Sequence, residues 1–519
     1  MRGSDELFKL IKSLDKNEKR YFKLLTGKYE SAKESNYVRL FDAIDAMEEY
    51  DEEKLKKKFR DKKLFKNLAS EKNHLQRLIL RSLRNYSPEP TVDNKIKDMI
   101  REAEFLYKKA LYEQCGKTLA KAREMAYAYE RHLLLLEIHQ AEGMLILNTE
   151  DALHLHHHLG EKNEQAREQF VNALNLFEFR SNHIRSFLLN KEHGYDGRNK
   201  ELVNAFRKIL GNEIYSADTR AFSFEAKQYF YFMNMVYYRT IRDYNNTLIY
   251  SRKNMELFQA NPLMASEMQH QHVAAMINYC LSELEMRDYD GCLNTLEKLR
   301  ALPYNAQSIR LKIDSTYYPG ILSILIERGD FNRITEYVAE IRSFITKNKG
   351  RFNPSKEMMF LWNICICYFG AAQYREALRW LNKMMNDPEF DKTRIDLHAY
   401  ARIVTLMIHY ELNNFDLIEN LLRSTGRYLN KNNFMYHLEE ALIRFFGKVL
   451  STSSDKERKK ELSDLKDYLK KILVEFPEEK GFDAIDLLAW IDSKLLDKTF
   501  GEVVKMHLNH PGKKLPDRG

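Results

Sequence analysis

Glycine and proline are scarce, at 19 and 10 in 519 residues. Sheets joined by many tight turns need both, so the composition argues against a β-rich architecture. Tryptophan is rarer still, at 3, although tyrosine (30) and phenylalanine (29) are plentiful. Tyrosine suits helix interfaces in which one end of the ring is buried and the other reaches water. The five cysteines are odd in number and lack framework spacing, which suits a reducing compartment better than a disulfide scaffold. No apolar run approaches the roughly 18 uninterrupted residues of a membrane span. The richest, Leu133 to Ile138, is broken by Glu137. From Met1 to Thr26 charged and apolar residues alternate, without the apolar core of a secretion signal. The expected location is the cytoplasm. Charge of one sign is also not in excess: a net +8 permits an acidic partner without demanding nucleic acid.

What the chain has is a period. Between residues 230 and 425 an aromatic residue is followed, at helical spacing, by small and bulky apolar positions. The five copies centre on Tyr244, Tyr289, Phe331, Tyr374 and Phe415, separated by 45, 42, 43 and 41 residues. A fixed period of this size with helical patterning predicts stacked helical hairpins. The clearest copy reads LWNICICYFGAAQYREALRWLNKMMNDP. Leu361, Ile364, Cys365 and Tyr368 take the packing places of a first helix, and Ala372 sits at the turn. Tyr374, Ala377, Leu381 and Met384 form the inner face of a second, and Pro388 closes the unit. An earlier copy centres on Tyr112, three periods of 44 before Tyr244, so two degenerate units are expected between them.

These residues resemble tetratricopeptide repeats over roughly two-thirds of the chain, with a period of about 43 instead of that family's usual 34. The resemblance implies an all-α fold: a right-handed α-α superhelix, or TPR-like solenoid, over residues 95–450. An N-terminal helical domain over residues 1–90 is set off by the two prolines of Ser87-Pro88-Glu89-Pro90. Capping helices are expected over 451–500 and a disordered tail over 501–519. Cys115, Cys280, Cys292 and Cys365 fall where the family places small residues, which makes them packing residues.

In that family the first helices of successive hairpins line a concave groove for a protein or peptide. Carried over, the groove-facing positions are Phe232, Val236, Ile277, Asn278, Leu281, Trp362, Asn363, Ile366, Ile403 and Met407. An asparagine amide both donates and accepts, so Asn278 and Asn363, in equivalent places, are expected to hold a ligand's backbone. Trp362 would anchor beside them. The cations with which relatives clamp a terminal carboxylate are missing from the matching positions. The competing expectation is that the protein's own helices fill the groove.

No catalytic constellation is visible. Gly116-Lys117-Thr118 imitates the end of a phosphate loop but lacks the glycine five residues earlier and lies in a predicted helix. His154, His156, His157 and His158 include one i, i+4 pair but no completing ligand, and read as an exposed helix face. Lys54 to Lys66 is a basic run anchored by Leu55, Phe59, Leu64 and Phe65. The expectation is a non-enzymatic interaction scaffold without cofactor or metal. The alternative is a ligand-sensing regulator whose basic N-terminal domain contacts nucleic acid or an acidic partner.

Overall fold

The computed structural model describes residues 5–27, 34–59, 68–86, 91–149, 152–193, 200–348, 351, 354–390, 394–432, 434–452, 454–475 and 485–509. Among them the regular structure is entirely helical, without a strand. Contacts within the chain fall into two units, residues 1–169 and 170–519. The division lies inside the stretch expected to be one continuous array.

In the first unit, α1 (Glu6–Ser13), α2 (Lys16–Gly27), α3 (Glu34–Asp45), α4 (Glu52–Phe59) and α5 (Leu68–Tyr86) enclose a core of their own. Its centre is Ile11, Phe22, Leu40, Phe41, Leu55 and Ile79. Lys72 crosses the edge of this core, donating to the Tyr50 hydroxyl at 2.6 Å and pairing with Glu52 at 3.2 Å. A separate cluster, with Ile96, Ile100, Cys115, Leu119 and Ile138, joins α6 (Val92–Lys108), α7 (Tyr112–Ala128) and α8 (His132–Thr149). Thr91 caps α6 by accepting from the Asn94 amide.

Next comes α9 (Ala152–His193), 42 residues long, or about 63 Å at a rise of about 1.5 Å per residue. It occupies nearly half of the interval in which two degenerate hairpins are expected, and that expectation fails. A single helix carries residues 152–193 without the turns that two hairpins require.

The second unit continues with α10 (Lys200–Leu210), α11 (Phe224–Thr240), α12 (Tyr244–Ala260), α13 (Pro262–Glu267), α14 (Gln269–Glu285) and α15 (Tyr289–Arg300). Then follow α16 (Gln307–Arg328), α17 (Ile334–Lys347), α18 (Pro354–Gly370), α19 (Tyr374–Met385), α20 (Ile395–Glu411) and α21 (Phe415–Lys431). The last are α22 (His437–Val449), α23 (Asp455–Glu475), α24 (Leu487–Leu495) and α25 (Phe500–Asn509). Helix packs on next helix, and alternate helices also touch: α14 on α16, α16 on α18, α18 on α20 and α20 on α22.

One turn recurs at the spacing read from the sequence. Two residues before each copy's aromatic, the backbone enters the left-handed region: Ala110, Arg242, Arg287, Gly329, Ala372 and Asn413, with φ between 56° and 68°. Each time the next amide donates back five residues, as Asp288 to Glu283 and Gln373 to Tyr368, both at 2.9 Å. This is the helix-ending motif that satisfies last-turn carbonyls. Asp243 and Asp288 then cap the following helix through the amides of Asn246 and Gly291. The aromatic packs edge-on against the residue three before the turn in Tyr107–Tyr112, Phe369–Tyr374 and Tyr410–Phe415. It also reaches forward: the Tyr289 hydroxyl donates to Glu327 at 3.4 Å, and that of Tyr374 bonds Glu411. The repeated aromatic therefore closes its own turn and ties it to the next.

The C-terminal segment departs from its expected course. Residues 501–509, expected to begin a disordered tail, belong to α25, and Val503 is fully buried. Instead of standing at the end of the hairpin series, α24 and α25 lie back across three of its turns. Trp490 Nε1 donates to Glu411 at 2.7 Å, and Lys494 pairs with the same carboxylate at 2.6 Å. Phe500 stacks on Phe331 with ring centres 5.2 Å apart and meets Phe369 edge-on. Lys505 pairs with Asp330 at 2.7 Å. Gly329 is the only glycine among these turn residues, and the reason is local: a Cβ there would stand 2.8 Å from the Gly501 carbonyl oxygen.

Candidate functional site

The ten positions expected to line a groove separate into two groups. Trp362, Asn363, Ile366, Ile403 and Met407 are buried. Along α18 every residue from Phe360 to Gly370 is buried, as in a helix covered on all sides. The four apolar members share one apolar cluster with Ile485, Trp490, Phe500 and Val503 of the C-terminal segment. For these five positions the expectation of an open groove is corrected. They are enclosed within the packed hairpins, the apolar four in one cluster.

The other group stays within reach of solvent. Phe232 and Val236 on α11, and Ile277 and Asn278 on α14, are half-buried. Leu281 on α14 is 41% exposed. The two helices are held side by side by Arg239, absent from the sequence-derived set. Its guanidinium donates to the Asn278 carbonyl at 3.3 Å and the Ser282 hydroxyl at 3.0 Å. It also pairs with Glu285 at 2.9 Å. Burial pushes the Glu285 carboxyl above its usual range, and Arg239 pulls it back in part. Arg239 lies three residues after Val236 on the same helical face, a spacing that marks it as a neighbour of the set.

Asn234 is also missing from that set, although it stands 44 residues before Asn278 in the same register. It is buried, and its amide donates to the carbonyl of Phe230 at 2.9 Å. Asn234 and Asn363 are thus both enclosed, and Asn278 is the accessible member of the series. Glu283, also on α14, is buried, and desolvation raises its carboxyl while the hydroxyls of Thr295 and Tyr279 oppose the shift. Beyond α14 the surface carries Lys312 and Asp314 of α16. Burial, with Lys356 nearby, lowers the Lys312 ammonium, and burial raises the Asp314 carboxyl. Such a surface offers apolar contact and hydrogen bonds. It brings together no nucleophile and base.

The remaining motifs fall in ordinary surroundings. Gly116-Lys117-Thr118 lies within α7, where Lys117 pairs with Glu113 at 2.6 Å and Thr118 donates to the Gln114 carbonyl. Lys56 of the basic run pairs with Glu53 at 2.9 Å, and residues 60–66 of that run lie outside the described residues. His154, His156, His157 and His158 are on α9, with side chains outside the description. Among the described residues no group of three or more metal-ligating side chains converges. All five cysteines are buried free thiols, with Cys280 and Cys292 Sγ atoms 3.0 Å apart. No described helix is long and apolar enough to cross a membrane. The fold and this surface define an all-helical protein of successive hairpins. No family model matches the chain, and no curated protein or solved structure shows significant similarity to it.

Proposed function

We propose that this chain is a non-enzymatic helical-repeat scaffold, a TPR-like solenoid, that holds a peptide or partner helix against α11 and α14. The observation that carries the reading is Leu281, a large apolar side chain left exposed one turn along α14 from the half-buried Ile277 and Asn278. The recurring left-handed turn and the forward tyrosine–glutamate bonds support the stacked arrangement. In this reading Phe232, Val236, Ile277 and Leu281 bury an apolar stripe of the ligand. Asn278 fixes its register by donating to one backbone carbonyl and accepting from one amide. Five free thiols suit a cytoplasmic setting.

The test is binding of an immobilised peptide library to the whole chain. Leu281→Glu and Asn278→Ala should each lower the signal of selected peptides by about tenfold, the scale of losing one well-placed contact, at unchanged melting temperature. Trp362→Phe, on the enclosed side, should leave binding as it is. Equal binding by wild type and the first two variants would remove this surface from the function.

A further inference from the structure

The helix α9 (Ala152–His193) is inverted in polarity over its part in the second unit. Facing inward it buries Asn175, Asn182 and Ser186 beside Phe179. Those polar groups have work there: Asn175 donates to the Arg220 carbonyl at 2.9 Å and accepts from the Phe222 amide at 3.1 Å. Facing outward are Phe170, Val171, Leu174, Phe177, Ile184, Phe187 and Leu188, each between 54% and 68% exposed. The inner face is complete, so these side chains are not a core that failed to close.

We propose that this outward face pairs with the same face of a second copy of the chain, helix against antiparallel helix. Three observations select that occupant. Phe170, Leu174, Phe177, Ser181, Ile184 and Leu188 alternate spacings of four and three, the seam of a two-stranded coil, and a partner must carry the same spacing to fill it. The seven exposed side chains amount to an apolar area on the order of 800 Å², what one partner contributes to a stable interface and more than a lone patch usually spans. The edge charges complement themselves under a two-fold axis. Glu178 and Arg185, both exposed, occupy the same flanking position one heptad apart. The antiparallel register that sets Phe177 opposite Leu188, and the small Ser181 opposite Ile184, also sets Glu178 opposite Arg185 at both ends. A parallel pair would instead set Arg180 beside Arg185 of the other copy, like charge against like.

The test is the molar mass of the full chain by light scattering and sedimentation at micromolar concentration. A dimer is expected. Phe177→Glu and Ile184→Glu should each shift it to monomer, weakening association by about tenfold or more, with helix content and melting temperature of the monomer unchanged. Glu178→Arg or Arg185→Glu alone should weaken the dimer, and the two together should restore it. A monomeric wild type would overturn the proposal and leave the stripe to a different occupant. So would a dimer indifferent to Phe177→Glu and Ile184→Glu, or single charge reversals that the double reversal fails to rescue.

Discussion

The stretches α11–α15 and α16–α22 use the same turn at the same period, yet end in opposite conditions. In the first, positions such as Ile277, Asn278 and Leu281 on the first helix of a hairpin keep contact with solvent. In the second, the corresponding Trp362, Asn363 and Ile366 are enclosed. The repeat unit cannot be the cause, since the left-handed residue and its hydrogen bonds are alike at Arg287 and Ala372. What distinguishes the later hairpins is α24 and α25, which pack across the turns at Gly329, Ala372 and Asn413 and belong to the same apolar cluster. A periodic pattern thus specifies the turn of each unit, while accessibility differs between units with identical turns.

The strongest way to break this contrast is to remove its anchor. Trp490 is almost wholly buried, meets Tyr410 and Phe445 edge-on, and donates to Glu411. Trp490→Ala should cost about 3–5 kcal/mol in urea unfolding, as other large-to-small aromatic core changes do. Leu281→Ala should stay within about 0.5 kcal/mol because its side chain has already one face in water. Hydrogen exchange should then rise along α18 and α20 in the Trp490 variant, while α11 and α14 keep wild-type protection.

The turns give an intermediate test. Gly329→Ala forces a Cβ against the Gly501 carbonyl and to within 3.1 Å of Val504, at a φ of 68°. A loss of about 2 kcal/mol is expected from strain and overlap together. Ala372→Gly does the reverse. Ala372 holds a φ of 57° with a Cβ in place, and relief of that strain should raise stability by about 0.5–1 kcal/mol. A larger cost at Gly329 than the gain at Ala372 would show that the covering segment adds to the preference for glycine that the left-handed turn already has.

Much of this was readable beforehand, for a physical reason. The aromatic and small positions recur because each closes a local turn. Tyr289, Tyr374 and Phe415 therefore carry their message within a few residues. The buried cysteines were readable in the same way. Two features were not. The packing of Trp490 on Glu411 and of Phe500 on Phe331 joins residues about 80 and about 170 positions apart, and no periodicity connects them. The helix α9 escaped for a different reason. Its apolar and polar positions both have helical spacing, and sequence alone does not say which set faces inward. Asn175 and Ser186 look like surface residues until their partners are seen.

The smallest expected effect separates the two regions by sign. His272 on α14 is buried against Phe258 and shares a 2.7 Å hydrogen bond with the Tyr304 hydroxyl. Desolvation holds its imidazole below the ordinary value of 6.5. The folded state then binds fewer protons than the unfolded one. The stability it contributes is complete above that value and is lost as pH falls through the lowered one. His507 on α25 is placed oppositely, 3.6 Å from Asp486 and 3.3 Å from Asp492, and the Asp486 carboxylate raises its value above 6.5. Its contribution is complete below the ordinary value and is lost as pH rises through the raised one. Acidification from about pH 7.5 to about pH 6 should therefore increase exchange at the α14 amides around His272 and decrease it in α25. His272→Phe should flatten the first response and His507→Gln the second, each leaving the other intact. Because both helices sit in one covalent chain at one pH, a shared drift in global stability would move them in the same direction, and only local protonation of the kind described moves them apart.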